Sequence, residues 1–121
     1  MTKFLIIFLG LIFSTVLQAS NLNFLKDAPI ADFNKDDITM MEQNIYKSLQ
    51  ELDDGEKSAW KNDATGHSGL ANPVKTYEKD GQTCRTIRIV NRSNKRIAQG
   101  HYDFCRIDDA RWVLTSTIKQ D

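Results

Sequence analysis

Cys84 and Cys105 are the only two cysteines of this 121-residue chain, and they stand at mirror-image positions about Asn94-Lys95, in a stretch that reads as two β-strands around a turn. If the chain reverses there, residues whose numbers sum to 189 face one another: Cys84 meets Cys105, Arg85 meets Phe104 and Ile87 meets Tyr102. Directly opposed residues of antiparallel strands come close enough for a bridge, particularly at non-hydrogen-bonded pairs. The spacing therefore predicts a disulfide that also pins the strand register. Closing a loop of roughly 20 residues stabilises a fold by about 3 kcal/mol on the chain-entropy argument. Two free buried thiols are the alternative; a redox-active pair would need a motif such as Cys-x-x-Cys, which is absent.

A disulfide implies an oxidising compartment, and the N-terminus agrees. Lys3 precedes the apolar run Phe4-Leu5-Ile6-Ile7-Phe8-Leu9-Gly10-Leu11-Ile12-Phe13, and Ala19 places a small residue before Ser20. This is the layout of a signal peptide cleaved after Ala19. A membrane anchor is the competing reading, but the run is shorter than the ~20 residues that span a bilayer. Ser20 stands where a lipoprotein carries cysteine, so no lipid anchor is expected. Removing residues 1–19 leaves 15 Lys plus Arg against 16 Asp plus Glu. Such a balance gives no global attraction to nucleic acid or to anionic membranes, and peripheral membrane association stays open. About a hundred residues suffice for one domain with a modest core.

Residues 20–33 form a lead-in segment, in which Pro29 discourages a long helix. The domain follows over residues 34–121. Ile38, Met41, Ile45, Leu49 and Leu52 recur at helical spacing and form one apolar stripe. Asn34 is placed to cap this helix with Asp37 three residues on, Phe33 and Ile38 suit a hydrophobic staple, and Gly55 supplies a stop. Beyond Gly55 come short β-like runs: residues 56–62, 70–79, 83–91, 97–107 and 111–118. Asp80-Gly81 is a strong two-residue hairpin turn, and residues 93–96 form another. The expected class is α+β, with one amphipathic helix packed on a curved antiparallel meander of about five strands.

Alternation puts Val74, Ile87, Ile89, Tyr102 and Phe104 on one face of that sheet. Tyr77, Val90, Ile107 and Trp112 fall with the cysteines on the other. One helix covers one face, so the second is either masked by curvature and the lead-in segment or docks a partner.

The strings Leu22-Asn23-Phe24-Leu25-Lys26-Asp27-Ala28-Pro29-Ile30, Asp54-Gly55-Glu56, Trp60-Lys61-Asn62, Thr65-Gly66-His67-Ser68-Gly69, Thr76-Tyr77, Thr83-Cys84-Arg85, Tyr102-Asp103-Phe104-Cys105 and Arg111-Trp112 occur in this order around the capped helix. Together they resemble the 17 kDa surface antigen family of bacterial envelope proteins over nearly the whole mature chain. The resemblance implies an outer-membrane or surface-exposed protein with no common enzymatic activity. The chain departs from the family in Ser20, in lacking a glycine-rich segment, and in Asp108-Asp109-Ala110 where an Asp-Gly turn is usual.

Catalytic signals are weak. Gly66-His67-Ser68-Gly69-Leu70 has Leu70 in place of the final glycine of a hydrolase elbow. His67 and His101 are the only histidines, and neither has the spacing of a triad. Asp32, Asn34 and Asp36 imitate the start of a calcium loop, yet Asp37 replaces its glycine and Gln43 its final glutamate. No catalytic residue, metal site or cofactor is expected. The basic residues Arg85, Arg88, Arg92, Lys95 and Arg96, with Tyr77 and Trp112, make the expected partner-binding set; a solvated hairpin protected by charge is the plainer reading.

These features lead to an exported, non-enzymatic binding or structural module of the periplasm or outer membrane, contacting an envelope protein or anionic envelope component. Two alternatives remain open: an inhibitor or chaperone-like module that binds extended peptides, and a small envelope hydrolase using His67 or His101.

Overall fold

A computed structural model describes residues 28–118; the expected signal peptide and residues 20–27 of the lead-in segment lie outside them. A 3-10 turn (Pro29–Asp32) leads into helix α1 (Lys35–Glu51). Strands β1 (Ser58–Lys61), β2 (Ser68–Lys79), β3 (Gln82–Arg92), β4 (Ile97–Asp108) and β5 (Arg111–Ile118) follow. They form one antiparallel sheet in chain order. This is the expected α+β arrangement of one helix and a five-strand meander.

Helix α1 begins where Asn34 and Asp37 satisfy each other's backbone. The Asp37 N–H donates to Asn34 Oδ1 at 2.8 Å and the Asn34 N–H to Asp37 Oδ2 at 2.9 Å, a closed capping box. Phe33, just before it, meets Trp60 edge-on and stacks on His67. The C-terminal boundary differs from expectation: the chain leaves the helix at Leu52, and Gly55, with φ +94°, belongs to the following turn. No basic side chain occupies the last helical turn. A strand residue fills that role, because Arg85 Nη1 donates to the carbonyls of Ser48 and Leu49.

The disulfide is present. Cys84 and Cys105 are directly paired across β3 and β4, their Cα atoms 4.0 Å apart, and every β3–β4 pair follows the register expected from the two cysteines. Asp80 and Gly81 both have positive φ, as the two-residue β2–β3 hairpin requires.

Three irregularities decide which side chains face the helix. In β2 the register shifts at Val74, so Gly69, Ala71 and Pro73 point toward α1 and Val74, expected in the core, is exposed. In β4 it shifts at Ile107, and in β5 at Thr115. Between these two, Trp112 pairs with Arg106 rather than Ile107 and turns to the helix side. There it packs against the core and donates to Gln50 Oε1 at 2.6 Å. The expected place of Trp112 beside the cysteines is thus corrected by a one-residue slip.

The core lies between α1 and this sheet face: Leu49, Ala71, Ile87, Ile89 and Tyr102, with Ile45, Phe104, Trp112 and Leu114 packed around them. Burial on the helix extends beyond the apolar stripe to a polar row, Asp37, Asn44 and Ser48, in which Asn44 bonds Ser58 of β1 and Asp37 bonds the β1–β2 turn. Gly69 is required there. A Cβ would fall on the Trp60 indole nitrogen and 2.7 Å from the Val90 carbonyl oxygen.

Candidate functional site

Two polar constructions and one open surface carry the chemistry of this fold. The first is centred on Asp37, which is fully buried. Besides the Asn34 N–H, its carboxylate accepts from Asn62 Nδ2 at 2.9 Å, Thr65 Oγ1 at 2.8 Å and His67 Nδ1 at 2.8 Å. Burial pushes the carboxyl pKa up, but the hydrogen bonds from Asn34, His67, Thr65 and Asn62 outweigh it and hold the group below the usual carboxylate range. An ionised Asp37 accepts only, so Nδ1 of His67 carries the proton. His67 is thereby tied into the join between the helix start and the β1–β2 turn. The alternation of β2 sends the adjacent Ser68 to the opposite sheet face, where it pairs with Lys61 and Arg92. Asp32, Asn34 and Asp36 do not converge as in a calcium loop: Asp32 binds Ser93 and Arg96, while Asn34 caps the helix.

The second construction surrounds Arg85. Its side chain lies beneath the end of α1, only 8% exposed. Besides the two helix carbonyls, it donates to Thr76 Oγ1 and Asp54 Oδ1, each at 2.9 Å. Arg85 is therefore withdrawn from the expected partner-binding set, as is Trp112. The alternation that puts Ile87 and Ile89 inward puts Arg85 inward as well, and the orphan carbonyls of the helix end supply its reason to be there.

The open surface is the sheet face that α1 leaves uncovered. Reading across β2, β3 and β4, its rungs are Tyr77–Cys84–Cys105, Lys75–Thr86–Asp103, Asn72–Arg88–His101, Leu70–Val90–Gln99 and Ser68–Arg92–Ile97. The disulfide end is polar and internally bonded. Asp103 accepts from Thr86 Oγ1 and Ser116 Oγ, and burial together with the Asp103 charge raises the Tyr77 phenol. The opposite end holds a groove of about 560 Å³. Leu70, Val90 and Ile97 provide its apolar lining, Lys57, Arg88 and Arg92 its charge, and no carboxylate lines it. Arg88 is steadied by Gln99 Oε1, which accepts from Nε and Nη2. The side chains of Arg92 and Lys57 make no hydrogen bond or ion pair among the described residues.

Of the expected contact set, Arg88 and Arg92 thus line one groove. Tyr77 shares their face at the disulfide end, with Lys75 Nζ 5.3 Å from its ring centroid. Lys95 is exposed on the β3–β4 turn, and Arg96 is engaged with Asp32. Sequence reasoning passed over Leu70, Ile97 and Lys57. Their signal was parity: Leu70 and Ile97 share the cysteine face once the Val74 bulge is allowed for. Among the described residues no helix is long and apolar enough to cross a membrane, and no three His, Cys, Asp or Glu side chains gather as metal ligands.

Family models, curated proteins and solved structures give no significant match to this chain. The resemblance to surface antigens rests on the residues quoted for it.

Proposed function

We propose that this chain is an exported, non-enzymatic contact module of the bacterial cell envelope, periplasmic or associated with the outer membrane, related in kind to the 17 kDa surface antigens. The observation that carries this reading is the uncovered sheet face, where a basic groove with an apolar lining stands opposite the helix. Solvated sheet faces are ordinarily polar, and an apolar surface set among unpaired cations is a feature of binding sites. The Cys84–Cys105 disulfide supports an oxidising location, and the basic-apolar N-terminal layout supports export to it. The bulges at Val74, Ile107 and Thr115 support a curved sheet that shapes this face.

A photo-reactive residue at Gln99, activated in intact envelopes, tests the proposal. Capture of an envelope component at Gln99, but not at Lys47 on the outer side of α1, is the expected result. Monomer alone at native expression would overturn it.

A second reading has one observation in its favour. β5 is an eight-residue edge strand, and edge strands accept extended peptides by strand addition. Capture from Thr115 in place of Gln99 would favour that peptide-binding module.

A further inference from the structure

We propose that the groove on the helix-free face docks the headgroups of anionic phospholipids, making this face a peripheral membrane contact. The inference rests on the contact-module reading and names its partner. Its starting point is an asymmetry: formal charge sums to zero over the chain, yet the helix-free strand face carries Lys61, Lys75, Lys79, Arg88, Arg92 and Arg111 against Asp103 and Asp108, of which Asp108 is paired with Arg111. Both carboxylate oxygens of Asp103 are already engaged by Thr86 and Ser116. The acidic residues Asp36, Glu42, Glu51, Asp53 and Asp54 lie on α1 and its exit, across the sheet. A molecule so polarised turns its basic face toward an anionic surface and its helix away.

The groove adds an apolar component at the same place. Ile97 is 59% exposed and sits directly opposite Arg92 in the last rung before the β3–β4 turn. Leu70 and Val90 continue the apolar lining inward beneath Lys57 and Arg88. Cations with long aliphatic stems around an exposed branched side chain suit a phosphate headgroup with acyl chain beside it. An acidic peptide fits less well. β3 and β4 are interior strands whose backbone groups are paired on both sides, so this face has no main-chain donors or acceptors to set a peptide's register.

The test is co-flotation of the oxidised protein, as recovered from the expressing cell, with vesicles of phosphatidylglycerol and phosphatidylethanolamine or of phosphatidylcholine alone. Retention on the anionic vesicles, weakened by salt, is expected. Arg88→Gln and Arg92→Gln should each lower the partition coefficient about fivefold, the effect of one basic residue near such a surface. Ile97→Ser should lower it at every salt concentration, and Lys47→Gln on the far side should leave it unchanged. Arg92 and Ile97 are exposed, so these variants keep the fold, and an unchanged melting temperature verifies that. Equal partition into both vesicle types, or an Arg92→Gln variant that binds as wild type does, overturns the proposal. If vesicles fail while the Gln99 photo-probe captures an envelope protein, the lipid assignment falls and the contact module stands; if both fail, both fall.

Discussion

The guanidinium of Arg85, a β3 residue, donates to the Leu49 carbonyl of helix α1 at 2.9 Å, so a strand side chain closes a helix that has no basic residue in its own last turn. Replacing Arg85 by methionine leaves the carbonyls of Ser48 and Leu49 without this partner and leaves Asp54 and Thr76 only their bond to each other. A loss of about 3 kcal/mol in denaturant unfolding is expected for removing a buried charged hydrogen-bonding group. Arg85→Lys should recover only part of it, since one ammonium does not reproduce a planar fork aimed at three elements. Full recovery by lysine would mean that charge alone matters here.

Asp37 gives stability a defined dependence on pH. Its carboxyl pKa is lowered in the folded state, so its contribution is complete above the unfolded value of about 3.9 and fades as pH falls toward the folded value. Urea midpoints should therefore drop as pH falls below about 4 more steeply in the wild type than in Asp37→Asn, which starts about 2 kcal/mol less stable. Parallel profiles for the two proteins would show that other carboxylates govern the acid limb.

The disulfide should be worth about 3 kcal/mol, the chain-entropy value for a loop of its length. The Cys84→Ser/Cys105→Ser double variant and the reduced wild type should lose that amount alike. Thiol titration of the unreduced, denatured protein should find no free sulfhydryl. Two titratable thiols would contradict the pairing.

Ser48 presents the reverse case. Its hydroxyl is buried on α1 without a hydrogen-bond partner among the described residues. Ser48→Ala removes the unsatisfied group and raises helix propensity, so the variant should be more stable by about 0.5–1 kcal/mol. Destabilisation in a thermal melt would reveal a partner for that oxygen.

Local chemistry made much of this fold readable in advance. The capping box needs only Asn34 and Asp37 at the right spacing, Asp80-Gly81 dictates its own turn, and two cysteines equidistant from Asn94-Lys95 fix a whole hairpin. The bulges resisted such reading. A slip at Val74, Ile107 or Thr115 inverts every side chain beyond it, and what selects the slip is distant: a helix that needs Ala71 beneath it and Trp112 against its flank. Arg85 was misplaced for a related reason, since strand alternation gives a side chain's direction but not the helix carbonyls waiting there. The groove was half legible, as Arg88 and Arg92 belong to a visible run of cations, whereas Leu70 joins them only through the Val74 bulge.

Helix α1 is pinned at its start by Asp37 and at its finish by Arg85, like a beam on two brackets. Directional bonds at the two ends set its tilt and rotation, which relieves the aliphatic middle of that duty. Met41 and Ile45 can then be exchanged for similar side chains, while the brackets hold the orientation of the beam.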